Sequence, residues 1–285
     1  MASNGKLVNA WIFLNEDEPS GTNYNSPNSC YQTLITNNVY QCVNILYLCF
    51  AETIPSPDND FYTIEIGNAS HPGGLTNQDY MNYILRDARA NNPDIKIAMT
   101  LDYGKTSILS NIFANSHYSD QENADGFAAN LAAYMKEYDL DGFDLDWEAP
   151  VCDAITKEQF QLLIDGIRAA FDTLEKETGT YYYLTLSPAE VGTLDADAVN
   201  DSVDFLNLQL YSGFTSPEEF TSAGVDQDLL AYGAKFESNY QTAQNAYQGY
   251  EQGGYTVITQ WRLNSDNYEY EQAQQKELYQ LVMGS

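Results

Sequence analysis

Basic residues are scarce in this chain: 12 lysines and arginines face 41 aspartates and glutamates in 285 residues, a formal net charge of −29. A polyanion such as nucleic acid, or an anionic membrane surface, is repelled by such a surface, so neither is expected as a partner. A neutral or cationic ligand suits it better, although solubility alone also accounts for the charge. Cysteine and histidine are sparse too. Cys30, Cys42, Cys49 and Cys152 form no Cys-x-x-Cys pair and do not cluster with His71 or His117, so no zinc site or thiol–imidazole nucleophile is indicated. Cys49 lies in an apolar run and reads as a buried thiol, whereas Cys30 and Cys42 are a candidate bridge only in a secreted chain. No apolar run approaches the roughly 18 residues of a membrane helix, so a soluble protein is expected. The first six residues lead into a strand without a secretory leader pattern. Two settings stay open: an extracellular protein in its mature form, or a cytoplasmic one.

What the chain does have is a row of acids. In Asp141-Gly142-Phe143-Asp144-Leu145-Asp146-Trp147-Glu148 the carboxylates at 144, 146 and 148 alternate with large apolar residues. On a strand, side chains two apart share a face, so the three acids line one side and Phe143, Leu145 and Trp147 the other. Neighbours on that row stand roughly 7 Å apart, where like charges in a poorly solvated cleft disfavour full ionisation. One carboxyl then stays protonated near neutrality, as a general acid must. A solvated face rarely alternates with Phe, Leu and Trp, and a divalent-metal site would draw oxygens from several segments at a spacing the chain does not offer. No metal or other cofactor is expected.

Eight β-rich apolar segments recur, at 7–14, 43–50, 95–101, 143–147, 181–186, 205–211, 229–236 and 255–263, with helical patterns between them. Phe160, Leu163, Ile164, Ile167 and Phe171 form one helical stripe behind a capping box of Thr156 and Gln159. Phe127, Leu131, Tyr134 and Met135 form a shorter one, Tyr80, Ile84 and Leu85 another after Thr76, and 270–283 a last helix. This alternation predicts an α/β chain, residues 1–285 forming a single-domain (β/α)8 TIM barrel, with an open doubly wound sheet as the alternative. Catalytic groups in a barrel sit at the C-terminal strand ends, and Glu148, followed by Ala149-Pro150, ends the fourth segment. The polar stretches 16–28 and 55–74 read as loops over the barrel mouth.

The acid string resembles the DGxDxDxE signature of family 18 glycoside hydrolases, the chitinases and endo-β-N-acetylglucosaminidases, and matches it at all four acids. Leu186-Ser187-Pro188-Ala189, Asn207-Leu208-Gln209-Leu210-Tyr211 and the segment 257–266 around Trp261 resemble the fifth, sixth and eighth strands of that family. The third-strand region Thr100-Leu101-Asp102-Tyr103-Gly104 matches only in part. The resemblance implies that Glu148 is the proton donor and that Asp146 orients the substrate's 2-acetamido group. Asp144 would share charge and a proton with Asp146, and Tyr211 would bond the acetamido carbonyl. It also implies that Trp261 floors the cleaved sugar, that Gln209 and Trp11 contact substrate, and that Asp141 and Gly142 shape the strand entry. Tyr103 reads equally as a subsite platform or a loop aromatic. Ser212 departs from the pattern, since many relatives carry Asp there and some plant-type ones Asn.

The implied activity is retaining, substrate-assisted cleavage of chitin or N-acetylglucosamine oligosaccharides by a monomer, with Trp147 between the last two acids resembling the chitinases. The alternative is an endo-β-N-acetylglucosaminidase acting on the chitobiose core of N-glycans. A third reading is an inactive chitin-binding lectin, whose members usually lose the terminal glutamate that this chain keeps. Only about 18 residues separate Phe236 from Tyr255, an ordinary connection in length. The α+β insertion that deepens the cleft of some relatives is therefore not expected, and an endo-acting mode is.

Overall fold

The computed structural model describes residues 5–14, 16 and 22–284, so part of the predicted loop 16–28 lies outside the described residues. Eight strands follow one another as β1 (Leu7–Phe13), β2 (Ile45–Pro55), β3 (Lys96–Leu101), β4 (Gly142–Trp147), β5 (Tyr183–Pro188), β6 (Phe205–Leu208), β7 (Leu230–Lys235) and β8 (Val257–Trp261). The main helices of the connections and the C-terminus are α1 (Cys30–Thr36), α2 (Asn77–Asn91), α3 (Asp120–Glu137), α4 (Lys157–Thr178), α5 (Ala196–Ser202), α6 (Pro217–Ala223), α7 (Ala243–Gly253) and α8 (Tyr268–Met283). Neighbouring strands in the sheet run in sequence order, and β1 is bonded in parallel both to β8, Leu7 opposite Val257, and to β2, Ala10 opposite Leu46. A sheet whose first strand pairs with its last has no edge there, so the fold is a closed eight-stranded parallel barrel and not an open doubly wound sheet.

One region of the reading changes. Residues 55–74 are not a plain loop: β2 runs on to Pro55, and Tyr62–Ile66 forms a further strand beside it in the sheet. A two-residue pairing of Ser70–His71 with Leu75–Thr76 precedes α2. Alternation in Tyr62-Thr63-Ile64-Glu65-Ile66 carried that strand signal.

Packing divides into two compact units. The first comprises residues 1–50, 66–97 and 231–285. There Val8 and Ile258 from the strands meet Ala243, Ala246 and Tyr250 of α7 and Leu278 and Val282 of α8. Many of the tyrosines are core: Tyr24, Tyr31, Tyr40, Tyr47, Tyr80 and Tyr250 are buried. The connection from β7 to β8 holds a 3-10 turn and α7 alone.

The second unit comprises residues 51–65 and 98–230. Its α4 starts at the expected capping box, with Thr156 accepting from the Gln159 N–H and the Gln159 side chain returning the bond. The predicted stripe, Phe160, Leu163, Ile164, Ile167 and Phe171, is buried throughout. Trp147 points into this apolar side, edge-on to Phe160 at 4.8 Å, and its indole N–H donates to the Val191 carbonyl at 3.0 Å. Gly142 is required by contact: a Cβ there would stand 2.6 Å from the Tyr183 carbonyl oxygen. No disulfide joins any of the four cysteines, so Cys30 and Cys42 are not bridged. Among the described residues no helix is long and apolar enough to cross a membrane.

Candidate active site

Strand β4 is buried along its whole length, and its two faces differ in chemistry as the alternation requires. Asp144 lies opposite Thr185 and Asp146 opposite Ser187 on β5. Asp144 is fully buried and accepts from the Thr185 hydroxyl at 2.6 Å and from the Ser187 hydroxyl at 2.9 Å to each oxygen. Thr100, opposite it on β3, also bonds to it. Burial lifts its pKa to about 7, and these hydroxyls limit the rise. Such a carboxyl passes between its two forms near neutrality.

Asp146 is 5 % exposed and Glu148, the first residue beyond the strand, is half-buried. The two carboxyls are hydrogen-bonded to each other. Asp146 is pushed well up by burial, then by the charges of Glu148 and Asp144. Glu148 is raised as well, again first by burial, with Gln209 and Asp146 opposing and the charges of Glu190 and Asp102 adding to it. A bond between two carboxyls needs a proton, and desolvation of both keeps it there. Burial thus disfavours charge on both members of the pair, with Asp146 the more buried and Glu148 at the open end.

Gln209, from the turn after β6, closes the arrangement. Its amide nitrogen stands 3.0 Å from Asp146 Oδ1, 3.1 Å from Glu148 Oε1 and 3.0 Å from the Ser187 carbonyl oxygen. Two protons serve three acceptors, so this amide clamps both carboxyls to the end of β5. Tyr103 is also brought to the acids: burial raises its phenol, and the charges of Glu148, Asp146 and Asp102 raise it further. Tyr211 is half-buried in the turn after Gln209. Ser212 turns away from the acid row in its bonding, meeting Thr215 instead. Asp141 is buried at the strand entry, where its carbonyl accepts from the Tyr183 N–H at 2.9 Å.

Within the first unit, Trp261 ends β8 with Phe13 edge-on at 5.3 Å and Phe50 at 6.3 Å, all three half-buried. Trp11, expected to contact substrate, is 3 % exposed, stacked on Tyr47 at 4.9 Å and tilted against Trp261 at 5.8 Å. Arg262 lies 4.3 Å over the Phe13 ring and pairs with Glu16 and with Glu237, the latter at 3.1 Å.

Several site residues carried no signal of their own in the sequence. Thr185 and Ser187 could have been found by parity, being two apart on the strand next to the acids. Asp102 lies in the third-strand segment that matched in part, whereas Glu190 becomes visible only through the charge it directs at Glu148. Thr100 follows from its register opposite Asp144.

The sequence profile of glycosyl hydrolases family 18 matches residues 21–260. A mouse chitotriosidase-1 is 27 % identical over 158 residues, which is 51 % of this chain and 32 % of that protein, so the match spans about a third of the relative's length. A chitinase-like agglutinin from Robinia pseudoacacia superposes with a TM-score of 0.69 at 15 % identity, covering 95 % of this chain and 99 % of the other. A plant class V chitinase mutant from Cycas revoluta, solved in complex with (GlcNAc)3, gives a TM-score of 0.66 at 14 % identity, covering 96 % and 99 %. These two structures share the fold, and the profile match over most of the chain, together with the acid row it contains, settles kinship: the chain belongs to family 18 of the glycosyl hydrolases.

Proposed function

We propose that this chain is a retaining glycoside hydrolase that cleaves the β-1,4 linkages of N-acetylglucosamine polymers, chitin first among them, with the substrate's own acetamido group as nucleophile. The observation that carries the reading is the one-sided acid row, in which the Gln209 amide bonds both Asp146 and Glu148. Ordinary retaining enzymes set two carboxyls on opposite sides of the sugar, about 5 to 5.5 Å apart. Acids on one strand approach from one side, which leaves the far face of the anomeric carbon to the acetamido oxygen.

In the first step Glu148 gives its proton to the glycosidic oxygen as the bond to the anomeric carbon breaks. The acetamido oxygen forms a new bond to that carbon, giving an oxazolinium ion, while Asp146 accepts a hydrogen bond from the acetamido N–H. Its charge is tolerable there because Asp144, with three hydroxyl partners, takes up a proton near neutrality. Water then attacks the anomeric carbon from the leaving-group side, returns a proton to Glu148 and restores the acetamido group with retained configuration. Tyr211 bonds the acetamido carbonyl, Trp261 floors the sugar, and Tyr103 and Gln209 line the cleft near the acids.

The β7–β8 connection, a 3-10 turn and α7, supports an open groove and endo-acting cleavage; the same reading takes the 1–285 barrel as a monomer in an extracellular setting. The decisive experiment incubates the protein with colloidal chitin and, separately, with a high-mannose glycoprotein, and weighs the products. Chitooligosaccharides from the first uphold the reading. Released N-glycans from the second replace it with endo-β-N-acetylglucosaminidase activity, and binding without products with a lectin.

A further inference from the structure

Helix α3 has a second face that the acid row does not use. Its buried side is Ala124, Phe127, Ala128, Leu131 and Met135, so Tyr134, expected in that stripe, is instead half-buried on the flank. The segment that joins β2 to the strand at 62–66 is seated on this helix. A Cβ on Gly126 would come within 2.2 Å of the Phe61 ring, so only glycine lets the ring lie there. The Asn130 and Asn59 amides exchange bonds at 2.8 and 3.0 Å, and Asn130 also donates to the Tyr62 carbonyl at 2.9 Å. The same two segments enclose a recess of about 230 Å³, whose lining includes Ile54, Ile64, Tyr134, Tyr138, Asp58 and Glu137.

The lining combines two chemistries. The rings of Tyr134 and Tyr138 stand 4.5 Å apart, tilted by 45°, and with the two isoleucines they give an apolar wall. Beside that wall stand acids without a counter-ion. Among the described residues no lysine or arginine pairs with Asp58, Glu65 or Glu137, and Lys136, next to Glu137, pairs with Glu177 at 3.0 Å. Burial raises the Tyr134 phenol and the charges of Tyr138, Glu137 and Glu65 raise it further, so these carboxylates act on the recess. Negative potential beside aromatic rings attracts an organic cation. The volume falls below the roughly 300 to 1,000 Å³ of pockets that enclose drug-sized molecules, which suits one ring and not a chain. We propose that this recess is a second carbohydrate site, binding one ammonium-bearing hexosamine unit with its pyranose against the tyrosines and its ammonium toward Asp58 and Glu137. The inference rests on the hydrolase reading given above, because a polymer of N-acetylglucosamine offers such a unit wherever an acetyl group is missing. The acid row needs the acetamido group as nucleophile, whereas the recess needs the free amine. A unit held here keeps the enzyme on a partly deacetylated chain between cuts.

The probe is hexaglucosamine, the fully deacetylated hexamer, titrated by calorimetry at about pH 6, where its amines are charged. The protein carries Glu148→Gln and excess chitohexaose fills the cleft, so the titration reads a site outside it. Asp58→Asn with Glu137→Gln should weaken binding about fivefold, the combined effect of two exposed ion pairs. Both side chains are exposed, so the fold should be unchanged, which an equal Tm checks. Glu158→Gln with Asp228→Asn removes the same charge elsewhere and should leave binding unaltered. Tyr134→Leu should weaken it about as much as the acid pair does, and Tyr134→Phe, which keeps the ring, should restore it. Equal weakening by both charge pairs, or none by the first, overturns the proposal. Tetralysine bound as tightly as hexaglucosamine and lost in the same variants also overturns it, since the recess then takes an ammonium without a sugar ring. If the protein with Glu148 intact cleaves no chitohexaose, the hydrolase reading fails by itself, and the same titrations still decide the site.

Discussion

Asp144→Asn isolates what a fully buried carboxyl does to this barrel. In the native state burial lifts the group from 3.8 to about 7, whereas in the unfolded chain it titrates near its ordinary value. Below about pH 4 the carboxyl is protonated in both states and the native state carries no penalty. As pH rises, the unfolded chain releases this proton first, so stability falls until the native group also ionises near 7 and then levels. At about 1.4 kcal/mol per pH unit the whole loss has a ceiling of about 4 kcal/mol, of which about 3 kcal/mol lies between pH 5 and pH 8. Asparagine does not titrate. It keeps the shape, but its amide nitrogen cannot accept from Ser187 or Thr100, which costs about 1 to 2 kcal/mol at every pH. Urea unfolding of both proteins at pH 5 and pH 8 should therefore show the variant gaining about 3 kcal/mol on the wild type over that range. A difference constant to within about 0.5 kcal/mol would refute the argument from burial.

Glu148→Gln keeps the shape of the side chain and removes the proton, so hydrolysis of chitooligosaccharides should fall by at least about a hundredfold while binding by calorimetry stays within a few-fold. Retained turnover would remove Glu148 from the role of acid. Glu190→Gln takes away a charge that raises Glu148, so the Glu148 pKa should fall and the alkaline limb of the kcat/KM profile should move to lower pH. An unmoved limb would show that the exposed Glu190 charge is screened. Gly142→Ala forces a methyl group against the Tyr183 carbonyl, 2.6 Å from where the Cβ would stand, and should cost about 2 kcal/mol, read as a lowered Tm. A Tm equal to wild type would mean that β4 and β5 separate cheaply.

By itself the sequence determined the eight strands, the four main helical stripes and the acid row, because each is written in residues close together. Period 2 in Asp144, Asp146 and Glu148 and the i, i+3, i+4 stripe of α4 are local signals, set by how a single strand or helix presents its side chains. The strand at 62–66 carried the same signal and was hidden by the polar residues around it. Closure of the sheet, the contact of Trp11 with Tyr47 and Trp261, and the convergence of Thr100, Thr185 and Ser187 on Asp144 and of Gln209 on Asp146 and Glu148 were decided only in three dimensions. Those contacts join residues tens of positions apart, and no periodicity within one element records which residue of another will face it. The same holds for the proton: three acids on one strand are legible in the chain, but how many charges they carry depends on the water that burial removes.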